Sequence, residues 1–161
     1  MIEKVLRIAG TVIVIAVALL VLAVIIVKII SKDRTKERIE KLALNNGEVT
    51  PEELLELKQA TLKTGGAKTA DDYVGVYVIC NQTQDMYYVG QAKKVLLRAS
   101  SHFEGHGNGD IYADYKYGDR FRIKTIALSK SGYDSLDKLE KDTIEAYEAY
   151  DNGYNKTKGN S

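Results

Sequence analysis

Residues 75 to 90 read Gly75-Val76-Tyr77-Val78-Ile79-Cys80, then Asn81-Gln82-Thr83-Gln84-Asp85, then Met86-Tyr87-Tyr88-Val89-Gly90. The first and third pieces are rich in β-branched and aromatic residues, and the five residues between them are polar and turn-forming. Two such runs separated by a short polar break predict a β-hairpin. Because side chains alternate along a strand, Tyr77 should lie on one face and Val76 on the other.

Helical and strand patterns follow this hairpin. Residues 92–103 predict a helix, 111–117 a short helix, 121–128 a third strand, and 135–150 a helix with Ser135 as its N-cap. The order strand, strand, helix, helix, strand, helix predicts an α/β domain at 73–158. We expect a small three-stranded antiparallel sheet flanked by helices.

The N-terminal segment 1–31 contains a long apolar run. Residues 8–27 carry no charge, and twenty helical residues span roughly 30 Å, the thickness of a bilayer's hydrocarbon core. A signal peptide or a buried core helix would explain the run less well, because there is no small-residue cleavage site and no polar interruption. We therefore expect a helix that crosses a lipid bilayer through residues 8–30.

The cations that flank this run predict its orientation. Two precede it, Lys4 and Arg7, and six follow it: Lys28, Lys32, Arg34, Lys36, Arg38 and Lys41. The more basic flank normally stays in the cytoplasm. The sequence thus predicts a single-pass protein of the cell membrane whose C-terminal domain is cytoplasmic.

Segment 32–64 predicts two short helices, and 65–72 a flexible linker. Asn45-Asn46-Gly47 should end the first helix, and Thr50-Pro51-Glu52-Glu53 should start the second with a capping box. This helical hairpin resembles the SHOCT module, a small hairpin often appended to other bacterial domains, and the resemblance implies a possible homo-oligomer. An amphipathic stalk is the alternative.

Composition excludes some classes of protein. The 23 Lys and Arg residues nearly cancel the 22 Asp and Glu residues, so net charge does not indicate a partner. The lone cysteine, Cys80, excludes an internal disulfide framework. No Cys/His spacing predicts a zinc site.

The hairpin carries two motifs of a known family. Gly75-Val76-Tyr77 and Tyr88-Val89-Gly90 resemble the two halves of the name of the GIY-YIG nucleases, each with Val for Ile. The resemblance extends over about 73–155, with further family residues in order: Arg98, His102, Glu140 and Asn155. Some members have a further histidine before the third strand, and only His106 is available here.

This resemblance implies an endonuclease that hydrolyses DNA with Mg²⁺ or Mn²⁺. Glu140 would hold the metal and Arg98 the scissile phosphate. Tyr77 or Tyr88 would activate water, and His102 could take a proton from a tyrosine hydroxyl. Asn155 would orient its neighbours.

Other interpretations follow from the residues alone. Glu140 could be a solvated edge carboxylate, Arg98 a surface ion pair, and the tyrosines core residues. Three cations share one face of the third strand and could contact phosphates or simply face solvent: Arg120, Arg122 and Lys124. The alternative function is a catalytically inactive adaptor or nucleic-acid-binding module assembled at the membrane.

Overall fold

The computed structural model describes residues 2–63 and 72–159. Its helices are α1 (Ile2–Leu44), α2 (Pro51–Lys63), α3 (Val95–Phe103), α4 (Gly109–Tyr117), α5 (Leu128–Ser131) and α6 (Leu136–Ala146). Its strands are β1 (Glu48–Val49), β2 (Gly75–Asn81), β3 (Met86–Ala92) and β4 (Phe121–Ala127). The chain divides into two compact units, Met1–Thr35 and Lys36–Ser161.

The first unit consists of the N-terminal part of α1. Its large apolar side chains from Val12 to Ile30 are exposed to solvent; Leu20, for example, is 66% exposed. Over the described residues, α1 is the one helix long and apolar enough to cross a membrane. This part of the chain is therefore a candidate membrane span.

The second unit contains a four-stranded antiparallel sheet in the order β1-β4-β2-β3. The predicted hairpin is confirmed as β2 and β3, and the predicted third strand is β4. The prediction of three strands is wrong, because Glu48 pairs with Lys124 and Val49 with Ile123. A strand of two residues is too short to show the alternation by which strands are recognised in sequences.

Segment 32–64 also differs from its prediction. The first of its two predicted short helices is the end of α1, which runs without a break to Leu44. The second helix, α2, begins as predicted with a capping box: the Thr50 N–H donates to Glu53 Oε2 at 2.7 Å, and the Glu53 N–H donates to Thr50 Oγ1 at 3.2 Å. Apart from Asp72, the predicted linker at 65–72 lies outside the described residues.

Each face of the sheet carries a hydrophobic cluster. The cluster on one face contains Ile39 and Ala43 of α1 with Val76 and Val78 of β2. The other cluster contains Leu54 of α2 with Tyr77, Ile79, Val95 and Phe103. Ile39 and Leu54 are fully buried, and burying such a side chain contributes about 1.5–3 kcal/mol. Residues 36–63 therefore supply core side chains to the same compact unit as the sheet.

Asp72 fixes the start of α3, the helix that carries two of the candidate site residues. The residue at the N-cap, Lys94, makes no side-chain cap. Instead Asp72 Oδ1 accepts the Leu96 N–H at 2.8 Å, and its Oδ2 accepts the Leu97 N–H at 3.0 Å. A carboxylate also suits the positive end of the helix dipole. Asp72 thereby ties α3 to the strand that begins three residues later.

Candidate active site

The glycines of the two motifs make room for close contacts. Tyr77 lies opposite Gly90 in the β2–β3 ladder, and a Cβ at Gly90 would collide with the hydroxyl and ring of Tyr77. A Cβ at Gly75 would likewise collide with the carbonyl oxygen of Ile126 on β4. Packing thus explains both motif glycines. Gly90 leaves room for the Tyr77 ring, and Gly75 leaves room for the neighbouring strand β4.

Tyr77, Tyr88 and His102 form a cluster of three rings. The Tyr77 hydroxyl lies 3.0 Å from His102 Nε2. The ring centroids of Tyr88 and His102 are 4.9 Å apart, and those of Tyr77 and Tyr88 are 6.2 Å apart. The structure therefore brings together the tyrosines of both motifs and a residue of α3.

A loop after α3 holds the other side of the imidazole. His102 Nδ1 accepts the main-chain N–H of Asn108 at 2.9 Å. A Cβ at Gly107 would lie 2.6 Å from the same nitrogen, so only glycine fits there without a shift. Burial, with the nearby Arg98 charge, lowers the pKa of His102 to about 4. His102 is therefore neutral at neutral pH.

Both site tyrosines resist ionisation. Burial raises the pKa of Tyr77, and the neighbouring Tyr88 raises it further, whereas Arg98 lowers it. Burial also raises the pKa of Tyr88, again opposed by Arg98. Because an exposed tyrosine already has a pKa near 10, neither hydroxyl ionises at neutral pH without an additional positive charge.

A polar cavity of about 300 Å³ opens beside the ring cluster. Its lining comes from the second motif, from α3 and α6 and from the end of the domain, and includes Tyr88, Arg98, His102, Glu140, Asn155 and Lys156. Arg98 is exposed and has a planar fork that matches two phosphate oxygens. The cavity therefore combines a cation, a carboxylate and a tyrosine hydroxyl within one small space.

Glu140 reaches this cavity from α6. It is only 8% exposed, and its Oε2 accepts a hydrogen bond from Gln91 Nε2 at 3.0 Å. No cluster of three or more metal-ligating side chains (His, Cys, Asp, Glu) occurs within 2–63 and 72–159. A single buried carboxylate facing a polar cavity fits Mg²⁺, which typically takes one or two carboxylates and keeps several waters. Glu140 could hold such an ion.

Asn155 acts on the backbone of the second motif. Its Oδ1 accepts the Val89 N–H and its Nδ2 donates to the Val89 carbonyl, both at 2.8 Å. The Tyr154 N–H donates to the Tyr87 carbonyl at 2.8 Å. The end of the domain thus pairs with the outer edge of β3 and fixes the strand that carries Tyr88.

The row of cations on β4 is not part of this site. Arg122 and Lys124 alternate with the buried residues Phe121 and Ile123, which pack with Tyr77, so they lie on the opposite face of the sheet. Lys124 pairs with Glu48 at 2.8 Å.

Two other residues considered from the sequence, Arg120 and His106, do not line the cavity. Arg120 is exposed just before β4, where its N–H donates to Thr83 Oγ1 at 3.0 Å. His106 is exposed and does not line the cavity.

Sequence reasoning missed two contributors to the site. Lys156 lines the cavity, and its exposed ammonium lies 3.1 Å from Asp110 Oδ2. Asn108 caps α4 through its side chain, which accepts the Asp110 N–H at 2.9 Å, and contacts His102 through its main chain. The N-cap pattern at Asn108 is visible in the sequence, but its contact with His102 is not.

Comparison with protein families agrees with this geometry. A family model described as the GIY-YIG catalytic domain matches residues 73–155, slightly more than half of the chain. No comparison shows the SHOCT resemblance of segment 32–64, and no curated protein or solved structure is significantly similar to the chain. The matched residues contain both motifs and every residue of the ring cluster. The chain therefore belongs to the GIY-YIG family.

Proposed function

We propose that this protein is a membrane-anchored endonuclease that hydrolyses DNA phosphodiester bonds with Mg²⁺ or Mn²⁺. The observation that carries the proposal is the convergence of Tyr88, Arg98, His102 and Glu140 on one small polar cavity, with the Tyr77 hydroxyl 3.0 Å from His102 beside it. Family membership alone supports only a nuclease-type activity. The metal, the DNA substrate and the membrane location are further parts of the proposal.

Arg98 and Lys156 supply the positive charge that a phosphodiester needs. Both line the cavity, and Arg98 can hold two oxygens of the scissile phosphate through its planar fork. Lys156 is exposed and can leave Asp110 for a phosphate, because an exposed ion pair contributes at most about 1 kcal/mol. These two cations account for local DNA binding in a chain whose net charge is close to zero.

Glu140 is the proposed ligand of the divalent cation. A metal held there would stabilise negative charge on the phosphate and on the leaving oxygen. Glu140 has a stable position for this role, because α6 and the Gln91 hydrogen bond fix its carboxylate. Among the described residues, Glu140 is the one carboxylate that lines the cavity, which suits a one-metal rather than a two-metal enzyme.

One tyrosine would act as general base. As the water oxygen bonds to phosphorus and the bond to the leaving oxygen breaks, the water's proton passes to a tyrosinate oxygen. Burial raises the pKa of both tyrosines, so the Arg98 charge and a bound divalent cation must together lower it. We expect the ascending limb of the pH–rate profile to report this ionisation.

The membrane anchor is proposed from α1. Residues 8–27 are uncharged, and more cations follow the run than precede it, which supports a cytoplasmic nuclease domain. Reporter fusions after Ser161 test this. A fusion that is active only outside the cytoplasm would contradict both the orientation and a cytoplasmic DNA substrate.

The nuclease proposal is tested with the full chain in detergent micelles or nanodiscs. Plasmid, single-stranded and branched DNA are incubated with Mg²⁺, with Mn²⁺ and with chelator, and cleavage and DNA binding are measured separately. We expect metal-dependent cleavage of at least one of these DNAs. Binding without cleavage under every condition would contradict the nuclease and favour the non-catalytic alternative.

A further inference from the structure

The hydrogen bonds of His102 determine which of its nitrogens carries the proton. A main-chain N–H can only donate, so the Asn108 N–H at 2.9 Å requires a lone pair on His102 Nδ1. The imidazole is fully buried and neutral. A neutral imidazole has one proton, and here it must lie on Nε2.

This tautomer fixes the direction of the next hydrogen bond. His102 Nε2 lies 3.0 Å from the Tyr77 hydroxyl, so the histidine donates and the tyrosine oxygen accepts. In this state Nε2 has no lone pair for a proton from Tyr77. The sequence-based hypothesis that His102 takes a tyrosine proton therefore conflicts with the observed contacts.

The accepting oxygen belongs to a tyrosine that the structure holds in place. Tyr77 is only 1% exposed, and its ring centroid lies 5.6 Å from that of His102 and 6.2 Å from that of Tyr88. Of the two tyrosines, Tyr88 is the one that lines the cavity.

We propose that the main-chain N–H of Asn108 locks His102 as a hydrogen-bond donor to the Tyr77 oxygen, so that His102 holds Tyr77 and does not take its proton. This inference rests on the proposed function, because it assigns roles within that site. Asn108 and His102 are positioning residues. The Nε2–H donor would stabilise negative charge on the Tyr77 oxygen when that hydroxyl ionises.

The loop is built to hold this arrangement. A Cβ at Gly107 would lie 2.6 Å from His102 Nδ1 and 2.8 Å from His102 Cα, so the loop packs directly against the imidazole. The Asn108 side chain caps α4, which fixes the direction of its main-chain N–H. The Asn108 N–H therefore cannot easily turn away from Nδ1.

The first test is the tautomer itself, measured by nitrogen NMR of the imidazoles in the ¹⁵N-labelled full chain in micelles. The chain has two histidines, and the exposed His106 is removed by His106→Gln to assign the signals. We expect His102 to show a protonated Nε2 and a bare Nδ1 at pH 7. A protonated Nδ1, or fast exchange between both tautomers, would overturn the proposal whether or not the protein cleaves DNA.

The second test compares two variants at His102. His102→Ala removes the donor and should lower cleavage about 10- to 100-fold, the value of a hydrogen bond to a charged group. His102→Gln supplies an amide N–H donor but no imidazole base, and should stay within about tenfold of wild type. Equal loss of cleavage in both variants, with both folded by tyrosine near-UV circular dichroism, would contradict the donor role.

These tests separate this inference from the proposed function. A wild-type chain with the Nε2–H tautomer that cleaves no nucleic acid would defeat the nuclease proposal and leave the lock intact. A chain that cleaves DNA but has His102 protonated on Nδ1 would support the nuclease proposal and defeat the lock.

Discussion

Gly90→Ala tests the packing of the two motifs against each other. The added Cβ would collide with the hydroxyl and ring of Tyr77, and Tyr77 is itself only 1% exposed within a hydrophobic cluster. The ring must shift, and overpacking of this kind commonly costs about 1–3 kcal/mol. The domain should therefore unfold at a temperature lower by roughly 4 °C per kcal/mol.

Gly90→Ala should also slow DNA cleavage, and by more than its effect on folding alone would cause. A shifted Tyr77 hydroxyl loses its 3.0 Å contact with His102, and a displacement of about 1 Å in an active site can lower the rate by about 100-fold. All eleven tyrosines lie at or after Tyr73, and the chain has no tryptophan. Tyrosine near-UV circular dichroism therefore follows the melting of the domain without a contribution from the apolar segment.

Gly109→Ala is the matched control, because a Cβ there meets nothing within 4 Å. It should melt and cleave DNA like wild type. If Gly90→Ala matches wild type in both measurements, Tyr77 is not held by Gly90 and the packing argument fails.

Three further variants or conditions test other parts of the structure. Leu54→Ala removes a fully buried side chain and should lower the free energy of unfolding by about 2–5 kcal/mol; a chain that melts like wild type would show that α2 is not part of the core. Asn155→Asp replaces the donor to the Val89 carbonyl with a charged oxygen, so denaturant titration should show a loss of about 1–3 kcal/mol, with DNA binding kept and cleavage reduced. Burial lowers the pKa of His102 from 6.5 to about 4, so the unfolded chain binds a proton in a range where the folded chain does not. Stability should therefore fall as the pH drops from about 6.5 towards 4, by on the order of 3 kcal/mol, and His102→Gln should remove that part of the pH dependence.

The elements that could be predicted from the sequence are those with strong local patterns. In the hairpin at 75–92, successive apolar side chains point alternately to the two faces of the sheet. The capping box at Thr50 is a local contact between residues three apart. Both were confirmed. The two-residue strand β1 has no such pattern, because its identity comes from pairing with Lys124 and Ile123, which lie more than seventy positions away.

The candidate site also combines residues that could be predicted from the sequence with contacts that could not. Tyr77, Tyr88, Arg98, His102 and Glu140 could be named from the family resemblance, and they surround one cavity or the ring cluster beside it. The contact between Asn108 and His102 could not be predicted, because it depends on the path of a loop rather than on a residue type. The positions of Arg122 and Lys124 depend on which face of β4 packs against Tyr77, and the alternation of the strand alone does not specify that.

The role of Glu140 is tested most directly by cleavage of DNA by the full chain carrying Glu140→Gln. The substitution removes the charge proposed to hold the metal, while Gln keeps the shape and helix propensity of Glu. Glu145→Gln is the matched control, since it makes the same change at an exposed position of the same helix; Asp137 is unsuitable because Gln91 bonds both Asp137 and Glu140. We predict that Glu140→Gln binds DNA like wild type but cleaves it at least about 100-fold more slowly, the result of losing several kcal/mol at the transition state, whereas Glu145→Gln keeps its activity. Wild-type cleavage by a folded Glu140→Gln protein would contradict the proposed active site.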